Sequence, residues 1–306
     1  MTTIDADAAK TFESVKNWGR WGEDDQLGTL NYLSGEATKQ AARLVTSGDI
    51  VSCSRKLSVK PGPGNAHPLL HHMTASGESA PDTGFGVAAD WVGLGFHGPS
   101  VTHIDSLSHA FWDGIGYNGF RASDVKSSGA GWGSVELAGR GIVSRGVLLD
   151  LAEVHGGSWL AAGTSVDADD LLQAERCQGV TFGTGDVLYI RTGRDVRTRR
   201  EGPFDPGHDG VGGLHYSCME LLHERQIAAL GSDAAHDVLP SGVEGFDLPV
   251  HTIALVSMGL WLIDNAYLEP LTARCRELGR WEFLAAVSPL LIPRSTGSPA
   301  NPLAIL

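Results

Sequence analysis

Short apolar runs bounded by glycine, proline or acidic residues recur along the chain, and they predict alternating strands and helices. Gly146–Val–Leu–Leu–Asp–Leu151 reads as a buried strand, and Gly185–Asp–Val–Leu–Tyr–Ile–Arg–Thr–Gly193 as another that ends in a turn. Leu260–Trp–Leu–Ile263 is a third, leaving Asp264 at its C-terminal end, and the alternation between Asp49 and Ser58 predicts the first strand. Helical spacing separates these runs. Ser34–Gly35–Glu36 opens a helix through Ala42, Leu44 and Val45 that Gly48 ends. Asp167–Ala–Asp–Asp opens another, its acids favoured by the helix dipole. Tyr216 to Leu230 reads as helical with Gly231 as its stop, and Ile227 to Ser232 leads into a short strand ending at Asp233. Pro249 suits the first turn of a helix from Val250 to Met258, with Gly259 as its cap. The class is α/β, and the many short strands imply a mixed sheet.

The irregular stretches carry their own expectations. Asn17–Asn31 is punctuated by glycine and bears Trp18 and Trp21, which would fasten an arm to the core or close it over a pocket, in this or a neighbouring subunit. Residues 1–48 are accordingly read as an N-terminal arm and helix, and 49–306 as the main domain. Pro61–Pro68 is an irregular loop, and His67, His71 and His72 near it are secondary candidates for substrate contact. The aromatics and glycines of Phe111–Gly119 either line a pocket or form a tight turn.

Composition narrows the partners. The 306 residues are 42% hydrophobic and 19% charged, enough for a large core, while forty glycines and fourteen prolines are dispersed among turns. A net charge of −13 disfavours nucleic acid or an anionic membrane and leaves a small molecule as the expected partner. The opening residues lack the basic and apolar regions of a secretory leader, and the longest apolar stretch, Ile253–Ile263, is too short to span a bilayer, so a cytoplasmic location is expected. Cys53, Cys177, Cys218 and Cys275 form no Cys-x-x-Cys pair and read as buried thiols.

The chemistry concentrates between His97 and His109, where three of the chain's 12 histidines and Asp105 fall within thirteen residues. On an extended strand His103 and Asp105 share a face and can grip one divalent metal through imidazole nitrogen and carboxylate oxygen. His109 falls just beyond and suits proton transfer. His97 has the same parity as 103 and 105, but Gly98–Pro99 turns the chain, and spacing alone leaves its reach open.

Taken in order, the Trp–Gly…Leu–Gly–Thr–Leu–Asn opening, Thr102–His103–Ile–Asp105 with His109, Gly185–Asp186…Arg191–Thr192–Gly193, His251…Asp264–Asn265 and Thr296–Gly–Ser–Pro299 resemble the metal-dependent cyclase-like hydrolases, the family of bacterial kynurenine formamidase and isatin hydrolase. The resemblance implies a swivelling β/β/α domain, zinc or manganese, a homodimer or homotetramer, and hydrolysis of an amide, formamide, cyclic imide or lactone bond. The family reads His-x-Gly-Thr-His-x-Asp-x-Pro-x-His, which makes His103 and Asp105 ligands and His109 the acid–base group. Pro99 stands in the first ligand's place, Val101 at the glycine and Leu107 at the proline, so His97 is the substitute ligand. A later histidine and glutamate match His251 and Asp264; the shorter aspartate favours one metal over two.

With such a metal, a water of lowered pKa would attack a polarised carbonyl while His109 takes the proton and returns it to the leaving atom. No Gly-x-Ser-x-Gly elbow and no Gly-x-Gly-x-x-Gly after a strand is present, which disfavours serine hydrolases and dinucleotide dehydrogenases. Two other functions fit the same residues: a metal-dependent lyase, dehydratase or cyclase acting on a cyclic or polyketide-like ketone, and a non-catalytic relative that binds a small molecule.

Overall fold

The computed structural model describes residues 5–306. Its main sheet is formed by β1 (Ile50–Ser52), β4 (His103–Asp105), β5 (Ile142–Asp150), β6 (Val187–Arg191), β7 (Ala229–Ser232), β8 (Trp261–Asp264), β9 (Glu282–Val287), β10 (Gly297–Pro299) and β11 (Leu303–Ile305). Among the described residues the order is β1-β11-β9-β5-β6-β7-β8-β4-β10. Neighbours from β5 to β8 run parallel, and every pairing outside that block is antiparallel. The sheet is therefore mixed, as the alternation of short strands predicts. Strands β6, β7 and β8 are buried at every position, which explains their continuous rather than alternating apolar runs.

The helices that flank the sheet begin and end where local chemistry dictates. Helix α1 (Ala6–Ser14) starts at Asp5, whose side chain accepts from Asp7 and Ala8 N–H. Helix α2 (Gly35–Ala42) is capped by Ser34 and tied to β5 by Thr38 Oγ1 donating to Val143 O. Helix α3 (Ala168–Gln178) carries a complete capping box between Asp167 and Asp170 and ends at left-handed Gly179. Helices α4 (Arg194–Glu201), α5 (Cys218–Arg225) and α6 (Glu269–Leu278) complete the set used below.

Several sequence expectations change in length. The first strand does not run from Asp49 to Ser58: β1 stops at Ser52 because its partner β11 begins only at Leu303, after Pro302. Helix α2 stops at Ala42, short of Leu44 and Val45. The helix expected over Tyr216–Leu230 is only α5, since Gln226 takes a left-handed conformation and the following residues enter β7 between β6 and β8. The Val250–Met258 helix is one α-turn, Pro249–His251, followed by a π-helix over Thr252–Met258. Gly259 ends it with φ +66°, and a Cβ there would lie 2.4 Å from the Tyr117 ring. Cys53, Cys218 and Cys275 are buried as expected, whereas Cys177 is exposed on α3.

The arm residues lie along this π-helix. Trp18 Nε1 donates to Val256 O, Asn17 Nδ2 to Met258 O and Thr29 N to Gly259 O, while Trp21 packs edge-on against Tyr32. Asp25 accepts from the Tyr117 hydroxyl, fixing the Phe111–Gly119 turn to the same arm. Among the described residues no helix is long and apolar enough to cross a membrane.

Candidate metal centre

Strand β4 lies between β8 and β10, and its register sets His103 opposite Asp264 and Asp105 opposite Leu262. This pairing unites His103 and Asp264, 161 positions apart in sequence, and the other predicted ligands and His109 gather around it. His103 Nε2 lies 3.3 Å from Asp105 Oδ1 and 4.0 Å from Asp264 Oδ2. His251 Nε2 lies 3.5 Å from Asp264 Oδ2 and 3.9 Å from Asp105 Oδ2. His97 Nδ1 reaches within 2.9 Å of Asp105 Oδ1, so the turn at Gly98, with φ +118°, directs it inward; Pro99 instead gives its carbonyl to Arg194. His109 follows β4 in a turn closed by its own N–H to Ser106 O; its Nε2 is 3.9 Å from Asp105 Oδ2 and its ring stacks on His97 at 4.0 Å.

The anchoring of the rings is as informative as their proximity. His103 Nδ1 donates to Val101 O at 2.8 Å, His251 Nδ1 to Asp237 Oδ2 at 2.6 Å, and His97 Nε2 pairs with Thr296 Oγ1 at 3.1 Å. Each histidine is thereby fixed through one nitrogen while the other faces the carboxylates. Both Asp105 oxygens and Asp264 Oδ1 are buried without a hydrogen-bond partner among the described residues. Buried carboxylates left unpaired are costly, and a cluster of imidazole nitrogens and carboxylate oxygens is the donor set of a divalent cation. The residues fit such an ion. Two donor groups overlap here, His97–Asp105–His109 and His103–Asp105–Asp264, with Asp105 common to both.

Charge in the cluster is strongly coupled. Burial opposes the charged form of His103, but Asp105 and Asp264 outweigh it and raise its pKa to about 9. His251 is pushed up the same way, against burial, by Asp264 and Asp237. Burial would raise Asp105 and Asp264, yet the surrounding histidines hold both carboxyls below the usual range. His109 goes the other way: burial, with His97 and His251 adding to it against the pull of Asp105, lowers it to about 4. Its imidazole is therefore neutral near pH 7.

Hydrogen bonds behind the ligands lock the frame. Asn265, at φ +56°, donates to Gly98 O and Val101 O and accepts from Arg194, joining the β8 end to the turn that bears His97. Asp233 accepts from Thr192, Gly193 and Arg194 N–H at the start of α4. Two residues escape the sequence reading: Asp237, which caps the Pro249–His251 turn and holds His251, and His236, whose Nε2 lies 3.0 Å from Asp264 Oδ1. Their signal was an adjacent His–Asp pair just after a strand end. The secondary histidines divide: His67 lines a cavity of about 280 Å³ with His97 and Pro99, whereas His71 pairs with Asp90 and His72 stacks on Trp91 within the hairpin of β2 (Leu70–Ala75) and β3 (Ala89–Gly93).

Comparison with known proteins agrees with the fold. The cyclase family model, described as "Putative cyclase", matches residues 37–236, and the chain belongs to this family. The crystal structure of a protein described as a novel cyclase is 30% identical, with a TM-score of 0.86 over 96% of this chain and 99% of that one. An isatin hydrolase bound to the product analogue thioisatinate is 20% identical, with a TM-score of 0.63 over 90% of this chain and 99% of that one. A protein from Bacillus stearothermophilus described as a predicted metal-dependent hydrolase is 16% identical, with a TM-score of 0.53 over 84% of this chain and 97% of that one. No curated protein matches the sequence.

Proposed function

We propose that the protein is a metal-dependent hydrolase that opens an amide, formamide, cyclic imide or lactone bond. The observation that carries this reading is the set of three histidines, each anchored through one nitrogen, whose other nitrogens converge on two buried carboxylates with unpartnered oxygens. His103, Asp105, His251 and Asp264, with His97 in the place Pro99 leaves open, would hold zinc or manganese. A divalent cation there supplies Lewis acidity toward a carbonyl and toward water.

The protein's own residues account for the rest. His103, Asp105, His251 and Asp264 are buried, whereas the His97 and His109 side chains each keep 31% of their surface exposed, so substrate approaches over the stacked pair. Neutral His109 accepts the proton that water loses on adding to the carbonyl carbon. The same Nε2 then protonates the departing nitrogen or oxygen as the C–N or C–O bond breaks. Asp105 stabilises the imidazolium formed between these steps. Isatin hydrolase, whose fold this chain shares, is seen bound to the product analogue thioisatinate, which makes isatin-like cyclic imides the first compounds to test.

Turnover of isatin-like imides, N-formyl amines and lactones, followed by mass spectrometry, tests the assignment. Cyclic imides and lactones are expected to give a ring-opened product heavier by one water, and N-formyl amines the free amine with formate; an isomeric product or one that has lost water contradicts hydrolysis and favours a lyase or cyclase. We further assign the protein to a homodimer or homotetramer. Exposed Leu70, Met73, Trp91 and Val92 on the β2–β3 hairpin support self-association, and light scattering showing a monomer would contradict it.

A further inference from the structure

We infer that His236 is an additional ligand of the same cation, acting beside Asp264. The inference rests on the metal-centre reading above and adds a residue to it. His236 is fully buried, and neither ring nitrogen has a hydrogen-bond partner among the described residues. Leaving both nitrogens of a buried imidazole unpaired is unfavourable, and folded proteins seldom do so without a ligand or water at the site. The polar atom beside its Nε2 is Asp264 Oδ1, 3.0 Å away and equally unpartnered, so the two approach without the alignment of a hydrogen bond. Donors that share one ion at bond lengths of about 2.0–2.2 Å stand roughly 3.0–3.5 Å from each other. The 3.0 Å separation falls in that range, as it does in the range of a direct histidine–carboxylate contact, and the cobalt spectrum distinguishes the two.

The backbone supports the placement. His236 occupies the left-handed region at φ +48°, which is unfavourable for a residue with a Cβ, and its carbonyl accepts from Leu214 N at 2.7 Å. The next residue, Asp237, orients His251. One dipeptide thus directs His236 onto Asp264 Oδ1 and His251 onto Asp264 Oδ2.

Cobalt(II) titration of metal-free protein tests this directly. In His236→Gln and His236→Ala, cobalt affinity is expected to fall roughly 10- to 100-fold, with a change in the position and intensity of the visible d–d bands. Unchanged affinity, or weakened affinity with the wild-type spectrum retained, overturns the ligand assignment. Circular dichroism of the metal-free variants checks that they fold. Hyperfine-shifted ring resonances of cobalt-loaded wild-type protein need no substitution: a shifted His236 ring is expected, and an unshifted one overturns the inference. Wild-type protein that takes up no cobalt overturns the metal-centre reading itself, whereas cobalt uptake with His236 unaffected overturns this inference alone.

Discussion

Asp237 Oδ2 accepts the Nδ1 proton of His251 at 2.6 Å, and that bond turns the opposite nitrogen toward Asp264 Oδ2, 3.5 Å away. The same carboxylate accepts from Val250 and His251 N–H, so ring orientation and helix start depend on one side chain. Asp237→Asn is expected to weaken zinc or manganese binding by roughly 10- to 100-fold while the fold persists. Isothermal titration of the metal-free variant measures this, and wild-type affinity would remove Asp237 from the design.

His109 and Asp105 are separated by function although they lie 3.9 Å apart. His109→Ala is expected to lower kcat by roughly 10²- to 10⁴-fold, the range of a lost acid–base group, with bound metal retained. Asp105→Ala should lose both metal and turnover, because its two oxygens face His97 and His103 on one side and His109 and His251 on the other. Near-normal kcat in His109→Ala would show that another group moves the proton.

The pH dependence has a definite sign. In metal-free protein His103 is raised to about 9, so folding favours its charged form. That contribution is complete below the unfolded histidine value of about 6.5 and is lost as pH rises through about 9. His109, lowered to about 4, contributes stability above the unfolded value that is lost as pH falls through about 4. Thermal melts in the presence of chelator should show Tm declining from pH 7 toward pH 9.5, while metal affinity climbs over the same interval as His103 gives up its proton. A metal affinity that is flat from pH 7 to pH 9 would contradict this.

The hydrogen-bonded end of α4 gives a stability prediction independent of metal. Asp233 is fully buried and accepts four bonds, from Thr192 N and Oγ1, Gly193 N and Arg194 N. Asp233→Ala strands those donors and is expected to cost about 3 kcal/mol, read as a lower midpoint in urea unfolding. A midpoint equal to wild type would mean that water replaces the carboxylate without loss.

The parts of this site legible in sequence are those written in local spacing. His103 and Asp105 share a face because strand side chains alternate, and the apolar runs of β6 and β8 mark strands buried on both faces. Only the family resemblance points to His251 and Asp264, since nothing local shows that β8 lies antiparallel to β4. His236 stayed hidden because its role depends on a loop packing against the end of β8, and a lone histidine after a strand has no periodic signature. The π-helix was equally invisible: the apolar pattern of Thr252–Met258 suits an α-helix as well, and the wider turn appears only once Gly259 meets Tyr117 and the arm.

Metal content coupled to turnover tests the central claim most directly. Protein purified, supplemented with zinc or manganese, freed of excess ion and examined by elemental analysis should retain divalent metal. Removal by chelator should abolish hydrolysis and readdition restore it, while Asp105→Ala should remain empty. Wild-type protein that retains no divalent metal after supplementation, or that hydrolyses substrate equally well after complete chelation, would contradict the account.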